Sequence, residues 1–242
     1  MDSSGAALDP SSTVKRTRLQ PGDSVTLQIR PPVVQATSQA WAAILDDGSV
    51  VTWGNPSYGG DSGWAEPDLR NVVKIQSNPW AFAAILHDGS VVAWGDLDKG
   101  GSIGQRLTGV RDIQASARAF AAILNDGSVE AWGDEDGGGF LSEDIVDCHL
   151  VRGIQWNCRA FAAILDSGSV VTWGDAAYGG ECNTGHLRGV VAIEATISAF
   201  ATEGGDSSRV QAQLRNVVSI AADTRSFTAI LSNGSLVAWG AV

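Results

Sequence analysis

The chain has 242 residues, with 29 glycines and nine tryptophans against one methionine and two tyrosines. Hydrophobic residues make up 44% and charged residues 18%, enough apolar material for a sizeable core, which excludes a wholly disordered chain. The formal net charge of −11 disfavours direct binding to nucleic acid, whose phosphates would repel it, and fits a partner with a basic surface.

Residues 1–23 read as a disordered polar tail, rich in serine. The opening MDSSGAALDP is acidic and polar, which is not the pattern of a signal peptide. Lys15-Arg16-Thr17-Arg18 is too short to count as a nuclear signal. Ser24 to Ile29 alternates as a strand does, ahead of Pro31-Pro32. This strand is expected to clasp the C-terminal unit; a frayed tail is the alternative. No apolar run reaches the roughly 18 residues that would cross a bilayer, so a cytoplasmic or nuclear protein is expected. Cys148, Cys158 and Cys182 are few and odd in number, which argues against a disulfide framework.

From residue 33 onward the sequence repeats. AWAAILDDGSVVTWG ends at Gly54, AFAAILHDGSVVAWG at Gly95, AFAAILNDGSVEAWG at Gly133, AFAAILDSGSVVTWG at Gly174 and SFTAILSNGSLVAWG at Gly240. The anchor aromatics Trp41, Phe82, Phe120, Phe161, Phe200 and Phe227 follow one another at intervals of 41, 38, 41, 39 and 27 residues. Within a unit, Phe82 to Leu86 and Ser90 to Trp94 are apolar runs flanking an Asp-Gly turn, a strong hairpin signal. A Gly-rich connector follows, as at Tyr58-Gly59-Gly60. The unit that starts at Phe200 is truncated: Ala201-Thr202 runs into Glu203-Gly204-Gly205, with no Asp-Gly turn and no Trp-Gly.

A 40-residue unit of three or four strands cannot bury both faces alone. Stacking units radially buries them and leaves few free edges. The predicted fold is therefore an all-β propeller of short repeats, with five complete units and one truncated unit. It is expected over residues 24–242, in units near 33–71, 72–109, 110–153, 154–189, 190–216 (truncated) and 217–242. A β-solenoid is the alternative, but its coils are usually shorter. Alanine pairs suit the crowded centre and the aromatic anchors suit the wedge between blades, so Trp41, which replaces phenylalanine, is expected to be core.

The unit resembles the regulator of chromosome condensation repeat, on the strength of Ala83-Ala84-Ile85-Leu86-His87-Asp88-Gly89-Ser90 and the closing Trp94-Gly95. The resemblance covers roughly residues 33–242. The matching structural signature is Trp53-Gly54, Trp94-Gly95, Trp132-Gly133, Trp173-Gly174 and Trp239-Gly240. Sialidase-type Asp boxes fail on spacing, and WD-repeat blades end in Trp-Asp instead. The units are short for the family, so the outer strand is expected to be missing or minimal, and six units fall short of the usual seven. The resemblance implies a non-catalytic protein-interaction scaffold. In the family such propellers occur alone or beside a HECT domain in large ubiquitin ligases, and no such second domain is expected here. It also implies an alternative, guanine-nucleotide exchange on a small GTPase, although no exchange residue maps onto this sequence. Lectin-like glycan binding is a third reading.

No catalytic constellation is legible, so an enzyme is not expected, and neither is a cofactor. His87, His149 and His186 lie in a turn, an insertion and a connector. Cys182 and His186, with Cys148, His149 and Cys158, lack the paired spacing of a zinc site, and no metal is expected. The carboxylates Asp46, Asp47, Asp88, Asp126 and Asp166 recur near the turns; they form an acidic rim for a basic partner or simply serve turn chemistry. Comparing units singles out three tryptophans. Trp80 stands where other units have Gln39, Arg118 and Arg159, and Trp156 where they have Ala36, Ser77 and Ala115. Trp64 lies in a connector with no aromatic counterpart. The predicted partner-binding residues are Trp64, Trp80, Trp156, Asp46, Asp88 and Asp126, with local packing as the alternative for each tryptophan. An array that fails to close is also expected to offer unpaired edges for dimerisation.

Overall fold

The computed structural model divides into two compact units, Met1–Pro32 and Val33–Val242. The residues described are 33–142, 145, 150–181, 190, 192–197, 217–222, 226–231 and 234–240, all in the second unit. The expected clasp over 24–30 and the cysteine–histidine positions 148, 149, 182 and 186 lie outside them, as does Phe200.

Among the described residues fifteen strands form five three-stranded antiparallel sheets, each in chain order. The first sheet holds β1 (Val33–Ala36), β2 (Ala40–Ile44) and β3 (Val50–Gly54). The second holds β4 (Val72–Ser77), β5 (Ala81–Leu86) and β6 (Val91–Gly95), and the third β7 (Val110–Ala115), β8 (Ala119–Leu124) and β9 (Val129–Gly133). The fourth holds β10 (Val151–Trp156), β11 (Ala160–Leu165) and β12 (Val170–Gly174), and the fifth β13 (Val217–Ala222), β14 (Ser226–Leu231) and β15 (Leu236–Gly240). Among the described residues there is no fourth strand per sheet. Its place is taken by short 3-10 turns, Pro56–Tyr58, Leu97–Lys99, Glu135–Gly137 and Ala176–Tyr178.

The central strands β5, β8 and β11 are apolar without alternation because each is covered on both faces. Ala81, Ala83 and Ile85 of β5 point into one layer with Phe120, Ala122 and Trp132 of the third sheet. Phe82 and Ala84, from the same strand, join Trp94 in the layer against Ala40 and Ala42 of the first sheet. Ala119, Ala121 and Ile123 meet Phe161, Ala163 and Trp173 in the same way. Each layer therefore matches a small-residue face with an aromatic face, so successive sheets approach closely on one side and wedge apart on the other. Each buried aromatic ring removes about 150–250 Å² from water, an upper-bound gain of roughly 4–6 kcal/mol at 25 cal/mol/Å². Part of the truncated unit still serves the fourth layer, where Ile193, Val190 and Ala195 cover Ala160, Ala162 and Ile164.

The first strands of neighbouring sheets contact one another, β1 with β4, β4 with β7 and β7 with β10, which places them nearest the axis. The fold is an all-β propeller of three-stranded blades.

The first sheet departs from expectation. Trp41 is 44% exposed and Trp53 46%, whereas Phe82, Phe120 and Phe161 are fully buried. Trp41 is not core, because the cover of each aromatic pair comes from the unit before it. Among the described residues nothing precedes the first sheet.

Candidate functional site

The turns joining the first and second strands of the first four blades, with residues 195–197 of the truncated unit, converge around the axis. They carry Ala36 to Ser38, Ser77 to Pro79, Ala115 to Ala117, Trp156 to Cys158 and Ala195 to Ile197, and they enclose an opening of about 700 Å³. Backbone bonds link the turns around the rim: Ser38 N–H donates to Pro79 O at 2.9 Å, Ala117 N–H to Cys158 O at 3.1 Å, and Cys158 N–H to Ile197 O at 3.2 Å. Among the described residues the lining carries no charged side chain, despite the acidity of the chain.

A polar residue holds each turn. Asn78 Oδ1 accepts from Trp80 N and Ala81 N, both at 2.8 Å, while its amide donates to Lys99 O at 2.8 Å. Asn157 does the same with Arg159 N, Ala160 N and Tyr178 O. Thr37 and Ser116 fill the position in their own units, donating to Tyr58 O and Gly137 O. Sequence reasoning passed over these four, yet the signal was available: one short polar residue at a fixed register position in every unit.

Trp156 stands on this rim, 38% exposed, in the register where the lining otherwise has Ala36, Ser77, Ala115 and Ala195. Cys158, two residues further on, is a free, half-buried thiol. Trp80 is placed differently. Its ring stacks on Tyr58 with centroids 4.9 Å apart and planes inclined by 19°. At its register, Gln39 accepts from the Asn55 amide at 2.8 Å and Arg159 donates to Asp175 at 3.1 Å. Trp80 substitutes ring stacking for this polar tie. Asp175 in turn holds the Arg159 guanidinium more firmly protonated, and Arg159 also lies over the Tyr178 ring at 5.3 Å.

Trp64, 63% exposed, sits on the turn Gly63–Asp68. It lines a groove of about 470 Å³ with Asp68, Asp88, Ile103 and Arg106, so the structure brings together two residues singled out from the sequence, Trp64 and Asp88. The Asp88 carboxylate is tied first to its own turn: Ser90 Oγ donates to it at 2.6 Å and Ser90 N at 2.9 Å. The Ser90 bonds hold its pKa below the usual 3.8, and the charge of Arg106 adds to this. Asp47 and Asp126 make the same bonds to Ser49 and Ser128. Asp46 and Asp166 do not occupy this position. The turn needs its acceptor directly before the glycine, so Asp47 fills it in the first unit, and Ser167 accepts from Ser169 N in the fourth. Among the described residues no group of three or more metal-ligating side chains forms, and no helix is long and apolar enough to cross a membrane.

No protein-family model matches the chain, and no curated protein matches it. Solved structures do resemble it. Prp20p from Saccharomyces cerevisiae, described with its binding to Gsp1p and histones, is 17% identical with a TM-score of 0.49, over 86% of this chain and 57% of that one. Yeast RCC1 (Prp20) bound to Kap60 is 16% identical with a TM-score of 0.48, over 86% and 55%. Human WBSCR16 is 16% identical with a TM-score of 0.47, over 86% and 61%. The structural neighbours are RCC1 and RCC1-like propellers. This chain spans between 55% and 61% of their lengths.

Proposed function

We propose that the chain is a non-catalytic protein-interaction scaffold that seats its partner on the axial opening, with Trp156 as anchor. One observation carries this reading. Among the described residues around the opening, which are small, polar or aliphatic, one large ring, Trp156, stands partly exposed. A tryptophan ringed by small neighbours offers a partner apolar area and an indole N–H at little entropic cost. The uncharged lining suits an apolar or neutral segment of that partner. The Trp64–Asp88 groove, at the other end of strand β5, offers a second surface where an exposed ring near carboxylates suits a basic segment. The reading needs neither cofactor nor metal and places the protein in the cytoplasm or nucleus, away from nucleic acid.

The test is affinity capture with wild type, Trp156→Ala and Trp80→Ala, each checked for native near-ultraviolet dichroism. A protein partner lost by Trp156→Ala and kept by Trp80→Ala supports the reading. If that partner is a small GTPase, a nucleotide-release assay decides between scaffold and exchange factor. Identical profiles for wild type and Trp156→Ala overturn the anchor, and selective capture of glycans would move the assignment to a lectin.

A further inference from the structure

Three layers between sheets are built alike. The face that a sheet turns to the next one sets a valine against that sheet's aromatic pair. Val50 lies in the layer of Phe82 and Trp94, Val91 in that of Phe120 and Trp132, and Val129 in that of Phe161 and Trp173. The connector of the preceding unit roofs each pair. Trp94 Nε1 donates to Gly59 O at 3.1 Å, Trp132 Nε1 to Gly100 O at 3.0 Å, and Trp173 Nε1 to Gly138 O at 3.1 Å. In these layers the valines are 6–8% exposed and the tryptophans 0–7%.

Each half of such a layer also occurs uncovered. Strand pairing in the first sheet puts Val34, Trp41, Val51 and Trp53 on one face. All four are 43–47% exposed. The two indoles stack with centroids 6.3 Å apart, and among the described residues no carbonyl accepts from Trp53 Nε1. The fifth sheet shows the other half. Leu236 pairs with Ile230 as Val50 does with Ile44, Val91 with Ile85 and Val129 with Ile123. It therefore holds the register of the packed valines, yet it is 67% exposed. Ala238, on the same face, is exposed as well. The opposite face of that sheet is covered, with Val237 only 7% exposed. Both open faces belong to one chain, so neither covers the other.

We propose that these two faces bind each other between copies. The Leu236–Ala238 face of one chain packs on the Val34–Trp41–Val51–Trp53 face of a second, with Leu236 against the tryptophan pair. The occupant follows from the interface the chain repeats three times within itself, an aliphatic side chain at this register laid on an aromatic pair. Exposed apolar faces of this kind mark interfaces. Because the two faces differ, the contact is head-to-tail. None of the residues named on either face is charged, so the chain's charge of −11 acts as general repulsion, and added salt strengthens association by screening it.

Light scattering over a hundredfold range of concentration, at low and high salt, tests this. Wild type should pass from one chain to two or more, at lower concentration in high salt. Trp53→Glu and Leu236→Glu each place a carboxylate on one of the two faces at an exposed position, and each alone should stay monomeric through the range. Leu97→Glu adds the same charge at a side chain 62% exposed on the turn Leu97–Lys99 and should associate as wild type does. An equimolar mixture of the two face variants should recover a dimer and nothing larger, since each retains one competent face. Wild type that is monomeric throughout, association that survives either face substitution, association lost equally in Leu97→Glu, or a mixture that stays monomeric each overturns the proposal.

Discussion

Replacing Trp94 and Trp53 by phenylalanine separates the roof from the ring. Both tryptophans close a hairpin opposite an aromatic partner, Phe82 for Trp94 and Trp41 for Trp53. Trp94 is fully buried and its indole N–H meets Gly59 O. Trp94→Phe keeps the stacking but strands that carbonyl, at about 1–3 kcal/mol. The smaller ring leaves a void on the order of 40 Å³, adding about 1 kcal/mol at roughly 24 cal/mol per Å³. The expected loss is therefore about 2–4 kcal/mol. Trp53→Phe removes no such bond among the described residues and sits nearly half in solvent, so its loss should stay below about 1 kcal/mol. Urea unfolding at low protein concentration reads the difference as a midpoint shift at unchanged slope. With slopes of about 1–3 kcal/mol/M, the Trp94 variant should lose roughly 1–2 M. Equal midpoint shifts for the two variants would refute the claim that inter-unit roofing, rather than hairpin pairing, stabilises these blades.

Three further outcomes follow from the geometry. Gly100→Ala should destabilise by about 2–4 kcal/mol, since φ 96° disfavours a side chain and its Cβ would lie 2.6 Å from Phe120, whereas Gly104→Ala meets no atom within 4 Å and should be neutral or stabilising by up to about 1 kcal/mol in a thermal melt. Asn157→Ala should cost about 2–4 kcal/mol by the same melt, because it strands two turn N–H groups and the Tyr178 carbonyl at once. Asp47 and Asp88 are held below their ordinary pKa, first by the hydroxyls and then by the N–H groups of Ser49 and Ser90. A carboxylate with a depressed pKa contributes stability above about pH 3.8 and loses it as pH falls through the lowered value. An Asp47→Asn/Asp88→Asn double variant should therefore show a shallower fall in melting temperature between pH 4 and pH 2.5 than wild type; parallel curves would contradict the assignment.

Much of the site lay beyond sequence reasoning for identifiable reasons. Trp156 was conspicuous because it breaks an alanine register, and the structure sets it on the axial rim. Trp80 broke its register just as plainly, but its ring finds Tyr58, which lies 22 residues earlier in another connector. Nothing in the substitution pattern distinguishes a ring that faces solvent from one that faces a neighbouring turn. Asp46 illustrates a smaller error of placement: two adjacent aspartates share one turn, and only hydrogen-bond geometry shows that Asp47 is its acceptor.

The sequence by itself determined the hairpins and their left-handed turn glycines, because these depend on contacts within a unit repeated at fixed spacing. Asp-Gly turns and two-face apolar strands leave little choice of local structure. Tertiary structure alone decided which aromatic pairs are core. Trp41 and Trp53 stand in the same register as the buried aromatic pairs of the later blades and lie exposed. The cover of each blade belongs to the unit before it, so burial is a property of neighbours in space and not of the unit's own residues.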